Sequence, residues 1–425
     1  MLITILTAGS RGDVQPYIAL GVGLKEAGYK VRIAASENFE SLIKESGLEF
    51  YPTSGDVSKI AADPRVRKAM QLHNPLKIIL DLIGLNRVNF KSLFLKSQKN
   101  FYNASQGSDA IIYHPGAAIG YFIAQKLNIP SILASPFLMT PTKDYPSLIF
   151  YDSLRLGKTA NVLTHKIFEK VMWGMSNSIV KEFWEQEFAS VPPNFSNPFK
   201  KQQTKNYPTI VSCSNYVFPQ PKDWPEHVHN TGYWFLDEGF DWNPPSDLQE
   251  FLDQGEPPVY VGFGSLGDPT TATQTTELVI DALQGAGKRG ILATGWSGMT
   301  KIDPIPENIF MIESIPHAWL FPRMSAVVHH GGAGTTAAGL RAGVPSILIP
   351  HANDQFAWGR RVYELGVGAK PIPKKQLTAE KLSTAITDAL TEEVKYAAKV
   401  LGEKIQRENG VQKATNLIIQ CLEGK

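Results

Sequence analysis

The run His329-His330-Gly331-Gly332-Ala333-Gly334-Thr335-Thr336 lies between a β-rich segment, Ala326 to His329, and a helical pattern through Arg341. Glycines let a backbone approach a ligand closely, and a helix start offers unpaired N–H groups and the positive end of its dipole. A diphosphate needs both, and a histidine adds a donor to a phosphoryl oxygen. A ligand-free strand-to-helix turn can carry the same glycines, so the neighbouring His and Thr carry the weight of the reading. Further on, Pro350-His351-Ala352-Asn353-Asp354-Gln355 places an acid beside an amide after another strand. Such a pair can hold vicinal sugar hydroxyls, although Asp before a helix is equally a favoured N-cap. Gly262-Phe263-Gly264-Ser265 forms a third turn, whose amides and Ser265 hydroxyl suit a phosphate.

The amino-terminal half offers one carboxylate at the lip of its first strand, Asp13 in Gly9-Ser10-Arg11-Gly12-Asp13-Val14-Gln15-Pro16. A carboxylate within hydrogen-bond reach of an alcohol can take its proton as the oxygen attacks. Asp13 also suits the N-cap of the helix containing Pro16, and the two roles are compatible. His114, after the strand Ala110 to Tyr113, could orient Asp13, touch an acceptor or be structural, and His351 has similar alternatives. No Asp-x-Asp sequence occurs, so no carboxylate pair presents itself for a divalent metal. Leaving-group charge would then fall to amides, the helix dipole and His330. A Walker lysine and a Gly-x-Ser-x-Gly elbow are also missing from the sequence.

These groups need rigid elements to aim them. Leu2 to Ala8, Lys30 to Ala35, Ala110 to Tyr113 and Ser131 to Ala134 read as strands, with helical patterns between them. A second such rhythm begins near Pro257, with strands at Val259, Gly290 to Ala293, Phe310 to Ile312, Ala326 to His329 and Ser346 to Ile349. Alternation of this kind predicts an α/β protein of two doubly wound parallel sheets facing across a cleft. The expected domains are 1–218, 219–400 and a closing helix over 401–425 that returns to the first domain. The Pro- and Asn-rich stretch Pro219 to Pro245 reads as linker and domain entry. Val57 to Lys99 and Pro141 to Asn206, rich in Phe, Trp, Leu and Met, are candidate walls for an apolar acceptor, although any single aromatic there reads first as ordinary helical packing.

Length and composition agree. A chain of 425 residues, 43% hydrophobic and 19% charged, suits two globular domains. A net charge of +2 without a basic stripe argues against nucleic acid. Cys213 and Cys421 lack metal or redox spacing, which fits a reducing, cytoplasmic compartment. Met1 to Leu6 reads as a strand rather than a signal peptide, and no apolar run is long enough to span a bilayer. A soluble enzyme of this kind can still make peripheral membrane contact.

Taken together, Ile315-Pro316-His317, the His329–Thr336 run, Arg341-Ala342-Gly343-Val344-Pro345 and Asn353-Asp354-Gln355-Phe356-Ala357-Trp358-Gly359-Arg360-Arg361 resemble the donor-binding signature of the UDP-glycosyltransferase superfamily. With the opening Gly9 to Pro16, the likeness is to its sterol 3β-glucosyltransferases and bacterial antibiotic glycosyltransferases. The resemblance implies a GT-B fold of two Rossmann-like domains and metal-free inverting transfer of a hexose from a UDP-sugar. Gln355 matches the glucose-preferring branch. On matching positions, His330, Gly332, Gly334, Thr335 and Ser265 would meet the diphosphate, and Asp354 and Gln355 the sugar. Asp13 would be the base. Ser10, Arg11, His114, Trp296 and Ile315 are candidate uracil or acceptor contacts.

Two departures stand out. Plant members carry His at the position of Asp13, paired with a separate Asp; here the carboxylate alone would suffice, which leaves His114 without a role. Ser314 stands where plant members place the Trp that stacks on uracil, and Trp296 is the substitute considered. The expected partners are UDP-glucose or a similar UDP-sugar and a small apolar hydroxylated acceptor, such as a sterol, another lipid, a macrolide or a polyphenol. Two rival readings remain: a UDP-sugar epimerase and a non-catalytic UDP-sugar or lipid-binding protein.

Overall fold

The structure is a computed structural model that describes residues 1–54, 91–152, 157–202, 207–236, 242–264, 269–294, 298–351 and 354–424. The chain forms two compact units, one of Met1–Leu236 with Glu408–Lys425, the other of Asp237–Arg407.

The first unit is built on a seven-stranded parallel sheet among the described residues. Its strands are β1 (Leu2–Leu6), β2 (Lys30–Ser36), β3 (Glu49–Thr53), β4 (Ala110–Tyr113), β5 (Ser131–Ser135), β6 (Thr209–Val211) and β7 (Val228–Asn230). They lie in the order β3-β2-β1-β4-β5-β6-β7, so the winding direction reverses between β1 and β4. Ile3, Ile5, Ile112, Ile132 and Ala134 are fully enclosed, as expected of a parallel sheet covered on both faces. Helix α1 (Arg11–Glu26) lies over one face through Val14, Tyr17, Ile18 and Leu24. Helix α2 (Lys158–Phe188) helps close the other, with Phe168, Trp173, Phe183 and Trp184 in the core beside Phe122.

That packing decides between the two readings of these aromatics. These four aromatics, within a segment read as an acceptor wall, are at most 9% exposed and serve the core. Most of the other expected wall, Val57 to Lys99, lies outside the described residues; its last part enters a helix, Lys91–Ala104. The stretch read as linker contains β7, which pairs with β6 in the register Thr209↔Val228.

The second unit carries five parallel strands among the described residues. They are β8 (Val259–Gly262), β9 (Gly290–Ala293), β10 (Ile309–Ile312), β11 (Ala326–His329) and β12 (Ser346–Leu348), ordered β10-β9-β8-β11-β12. Here the reversal falls between β8 and β11. Helix α3 (Ala333–Ala342) follows β11 and helix α4 (Gln355–Glu364) follows β12. The last helix, α5 (Gly410–Glu423), belongs to the first unit and buries Ala414 and Ile418 beside α1. Gly23 permits that approach, since a Cβ there would lie 2.6 Å from Val411 Cγ1.

Candidate active site

In open α/β sheets, loops beyond the carboxyl ends of the strands meet at the point where strand order reverses. Both units place their candidate site residues there. In the first, Leu6 of β1 pairs with Tyr113 of β4, and the His114 N–H donates to the Leu6 carbonyl at 2.9 Å. The loop after β1 and the residue after β4 therefore meet, though about a hundred positions separate them.

Asp13 is the third residue of α1, not its N-cap; Ser10 holds the cap position. The Ser10 N–H and hydroxyl donate to Asp13 Oδ2 at 2.8 and 2.9 Å. Oδ1 faces His114 Nε2 at 3.7 Å, and the Asp13 side chain is 31% exposed. Burial pushes its pKa up, but the His114 contact and the Ser10 donors outweigh that and hold the carboxyl below its usual range. Gly9, with φ of 140°, must be glycine, because a Cβ would meet Asp13 Oδ2 at 2.3 Å. Arg11 points elsewhere, its Nε donating to Gln15 Oε1 at 3.1 Å.

In the second unit, Gly262 of β8 pairs with His329 of β11, so the turn after β8 meets His330. The His330 ring is held between two glycines. A Cβ on Gly264 would lie 2.7 Å from its Cε1, and one on Gly332 would lie 2.5 Å from its Nε2. Burial lowers the His330 pKa to about 4, so the ring is neutral near pH 7 and offers a hydrogen bond rather than a full charge. His329 Nδ1 accepts from the Gly331 N–H at 3.1 Å, tying down the turn, and Gly331 adopts φ of 89°. Gly332 caps α3, which leaves the N–H groups of Ala333, Gly334 and Thr335 without partners within the helix. The Thr336 N–H is the first to find an intrahelical acceptor, the Gly332 carbonyl at 2.9 Å.

Asp354 occupies the N-cap of α4 without capping through its side chain; Oδ2 instead accepts from Trp358 Nε1 at 3.0 Å. Gln355 is 6% exposed and its Oε1 accepts from the His351 N–H at 2.7 Å. Its backbone carbonyl lies 3.2 Å from where a Gly331 Cβ would sit, so the acid–amide pair and the glycine turn are neighbours. Ile315 is half-buried against the core around Trp319 and Phe321. Ser265 and Trp296 lie outside the described residues. Sequence reading passed over Gly264 as a shelf for His330 and Trp358 as the group orienting Asp354. An indole four positions after an acid on a helix was the available signal. Among the described residues, no three His, Cys, Asp or Glu side chains converge as metal ligands.

Two doubly wound parallel units of this topology define the GT-B glycosyltransferase fold. Solved structures agree over essentially the whole chain. The glycotransferase of kitacinnamycin superposes with a TM-score of 0.71 at 20% identity, covering 99% of both chains. The calicheamicin glycosyltransferase gives 0.68 at 17% identity, covering 100% of this chain and 98% of its own. Residues 3–146 match the glycosyltransferase family 28 N-terminal domain, and residues 278–422 the erythromycin biosynthesis protein CIII-like C-terminal domain.

A sterol 3-beta-glucosyltransferase of Arabidopsis thaliana is 35% identical over 97% of this chain and 67% of its own length. Those of Emericella nidulans and Candida albicans are both 38% identical over 99% of this chain, which spans 30% and 28% of their lengths. The chain belongs to the UDP-glycosyltransferase superfamily, in the family of the sterol 3-beta-glucosyltransferases. Among the described residues no helix is long and apolar enough to cross a membrane.

Proposed function

We propose that this protein transfers glucose from UDP-glucose to the hydroxyl of an apolar acceptor, a 3β-hydroxysterol first, with inversion at the anomeric carbon. The observation that carries the reading is Asp13: a carboxylate held ionised, with one oxygen committed to Ser10 and its side chain open to solvent. A protein that only binds a nucleotide sugar has no use for a base poised in this way. The curated relatives' names supply the acceptor class.

In the proposed step, the acceptor O–H gives its proton to Asp13 Oδ1 as its oxygen bonds to the anomeric carbon. The bond from that carbon to the diphosphate oxygen breaks, and UDP departs with the electron pair. The Ala333, Gly334 and Thr335 N–H groups and the neutral His330 meet the charge that develops on UDP. Asp354 and Gln355 hold the sugar hydroxyls, Asp354 fixed by Trp358 and Gln355 by the His351 N–H.

The test is a panel of UDP-sugars against sterols, other lipid alcohols and polyphenols, read by product mass. A glucoside of a sterol is expected. UDP binding with no glycoside from any acceptor would return the protein to the nucleotide-sugar-binding reading, and a free isomerised UDP-sugar would make it an epimerase.

A further inference from the structure

His114 has a defined tautomer. Its Nδ1 accepts from the Gly116 N–H at 2.9 Å, so the ring proton sits on Nε2. Gly116 belongs to the short 3-10 turn Pro115–Ala117, and a Cβ on it would lie 3.0 Å from Nδ1. The ring is 4% exposed. It is wedged edge-on between Tyr17, at 5.7 Å between centroids, and Phe137, at 6.1 Å. Among the described residues Nε2 has no hydrogen-bond partner, although it is buried. What it faces is Asp13 Oδ1 at 3.7 Å, the carboxylate oxygen that Ser10 does not hold.

A buried donor with one acceptor in front of it is costly unless that acceptor is used, and such contacts commonly tighten when substrate closes the site. We propose that His114 is the positioning residue for Asp13, its Nε2–H holding Oδ1 ionised and aimed at the acceptor hydroxyl. Here the acid takes the proton and the imidazole orients it. His114 does not itself accept the proton, because Nδ1 is occupied by Gly116 and Nε2 already carries hydrogen. Among the described residues, the other titratable group facing the pair is Tyr17 of α1, whose hydroxyl donates to the Ala134 carbonyl at 2.5 Å.

This inference rests on Asp13 being the base, and the experiment separates the two. Full-length His114→Leu, His114→Gln and His114→Asn are compared with Asp13→Asn, using UDP-glucose and the acceptor that yields most product in the panel. Leu removes the donor, so kcat should fall by about 10-fold with little change in the KM for UDP-glucose. The acid limb of the kcat/KM profile should move to higher pH, since an unsupported carboxylate binds its proton more tightly. Gln carries an N–H to the Nε2 position and should recover most of the rate. Asn stops at the Nδ1 position and should not, which decides the matter even if the Leu variant fails to fold. Equal rates for Gln and Asn, or an unmoved acid limb in Leu, would reduce His114 to a packing residue while Asp13 kept its role. Near-normal turnover by Asp13→Asn would remove the base, and this inference with it.

Discussion

The two oxygens of Asp13 have different tasks. Oδ2 completes a hydrogen-bonded turn with Ser10, and Oδ1, which faces His114, is the oxygen the proposed mechanism uses. Asp13→Asn should preserve fold and UDP affinity while lowering turnover about 10²-fold or more; a product assay beside UDP titration calorimetry checks both. His330 differs, since burial keeps the ring between two glycines neutral, and in the proposed mechanism it donates to phosphate without bringing charge. His330→Ala should raise the KM for UDP-glucose and also lower kcat, because the donor acts on bound and departing diphosphate alike. Saturation kinetics with both parameters unchanged would leave the glycine turn a folding device.

At the scale of elements, the glycines after β8 and β11 are space reserved for a ring. Gly332→Ala would put a methyl 2.5 Å from His330 Nε2, so the imidazole must swing away. Donor binding should weaken to about the level of His330→Ala, with the melting temperature nearly unchanged; a drop in stability with normal UDP binding would contradict this. Helix α2 makes the complementary case. Trp184 is 2% exposed and packs against Phe122, Phe183 and Phe188. Trp184→Ala should cost about 3–5 kcal/mol through the cavity it leaves, as measured by denaturant unfolding. A segment rich in large aromatics therefore reads as a surface only until its partners are known.

For the molecule as a whole, histidines set the acid side of stability. Burial lowers His165 and His330 to about 4 and His329 well below its usual range, with smaller depressions at His227 and His229. Between about pH 4 and 6.5 the unfolded chain binds more protons at these sites than the folded one, so stability falls as pH falls through that window. Each fully shifted site contributes about 1.4 kcal/mol per pH unit. Buried Glu408, raised above its usual range, works in the opposite sense, and the depressed Asp13 and Asp223 matter only below the window. Urea midpoints should decline from pH 6.5 toward 4.5, and His165→Gln, which can keep the bond to the Tyr145 carbonyl, should flatten the slope. A midpoint constant across that range would show the histidines to be ordinary.

The strands flanking each turn, the glycine cradle after β11 and the acid after β1 were legible in the sequence because they are local: apolar β-rich runs, φ-permissive residues and a helix start lie within a dozen positions. The short strands β6 and β7, the second at the sheet edge, were not, since three residues carry too little periodicity to stand out among prolines and asparagines. Nor could spacing tell that Phe168 and Trp184 face inward, although the return of the closing helix to the first unit was expected. Pairing settled the rest. Parallel register put His114 beside Asp13 and Gly264 around His330, because strands far apart in the chain become neighbours only when their backbones hydrogen-bond, and no local pattern encodes which pairs will.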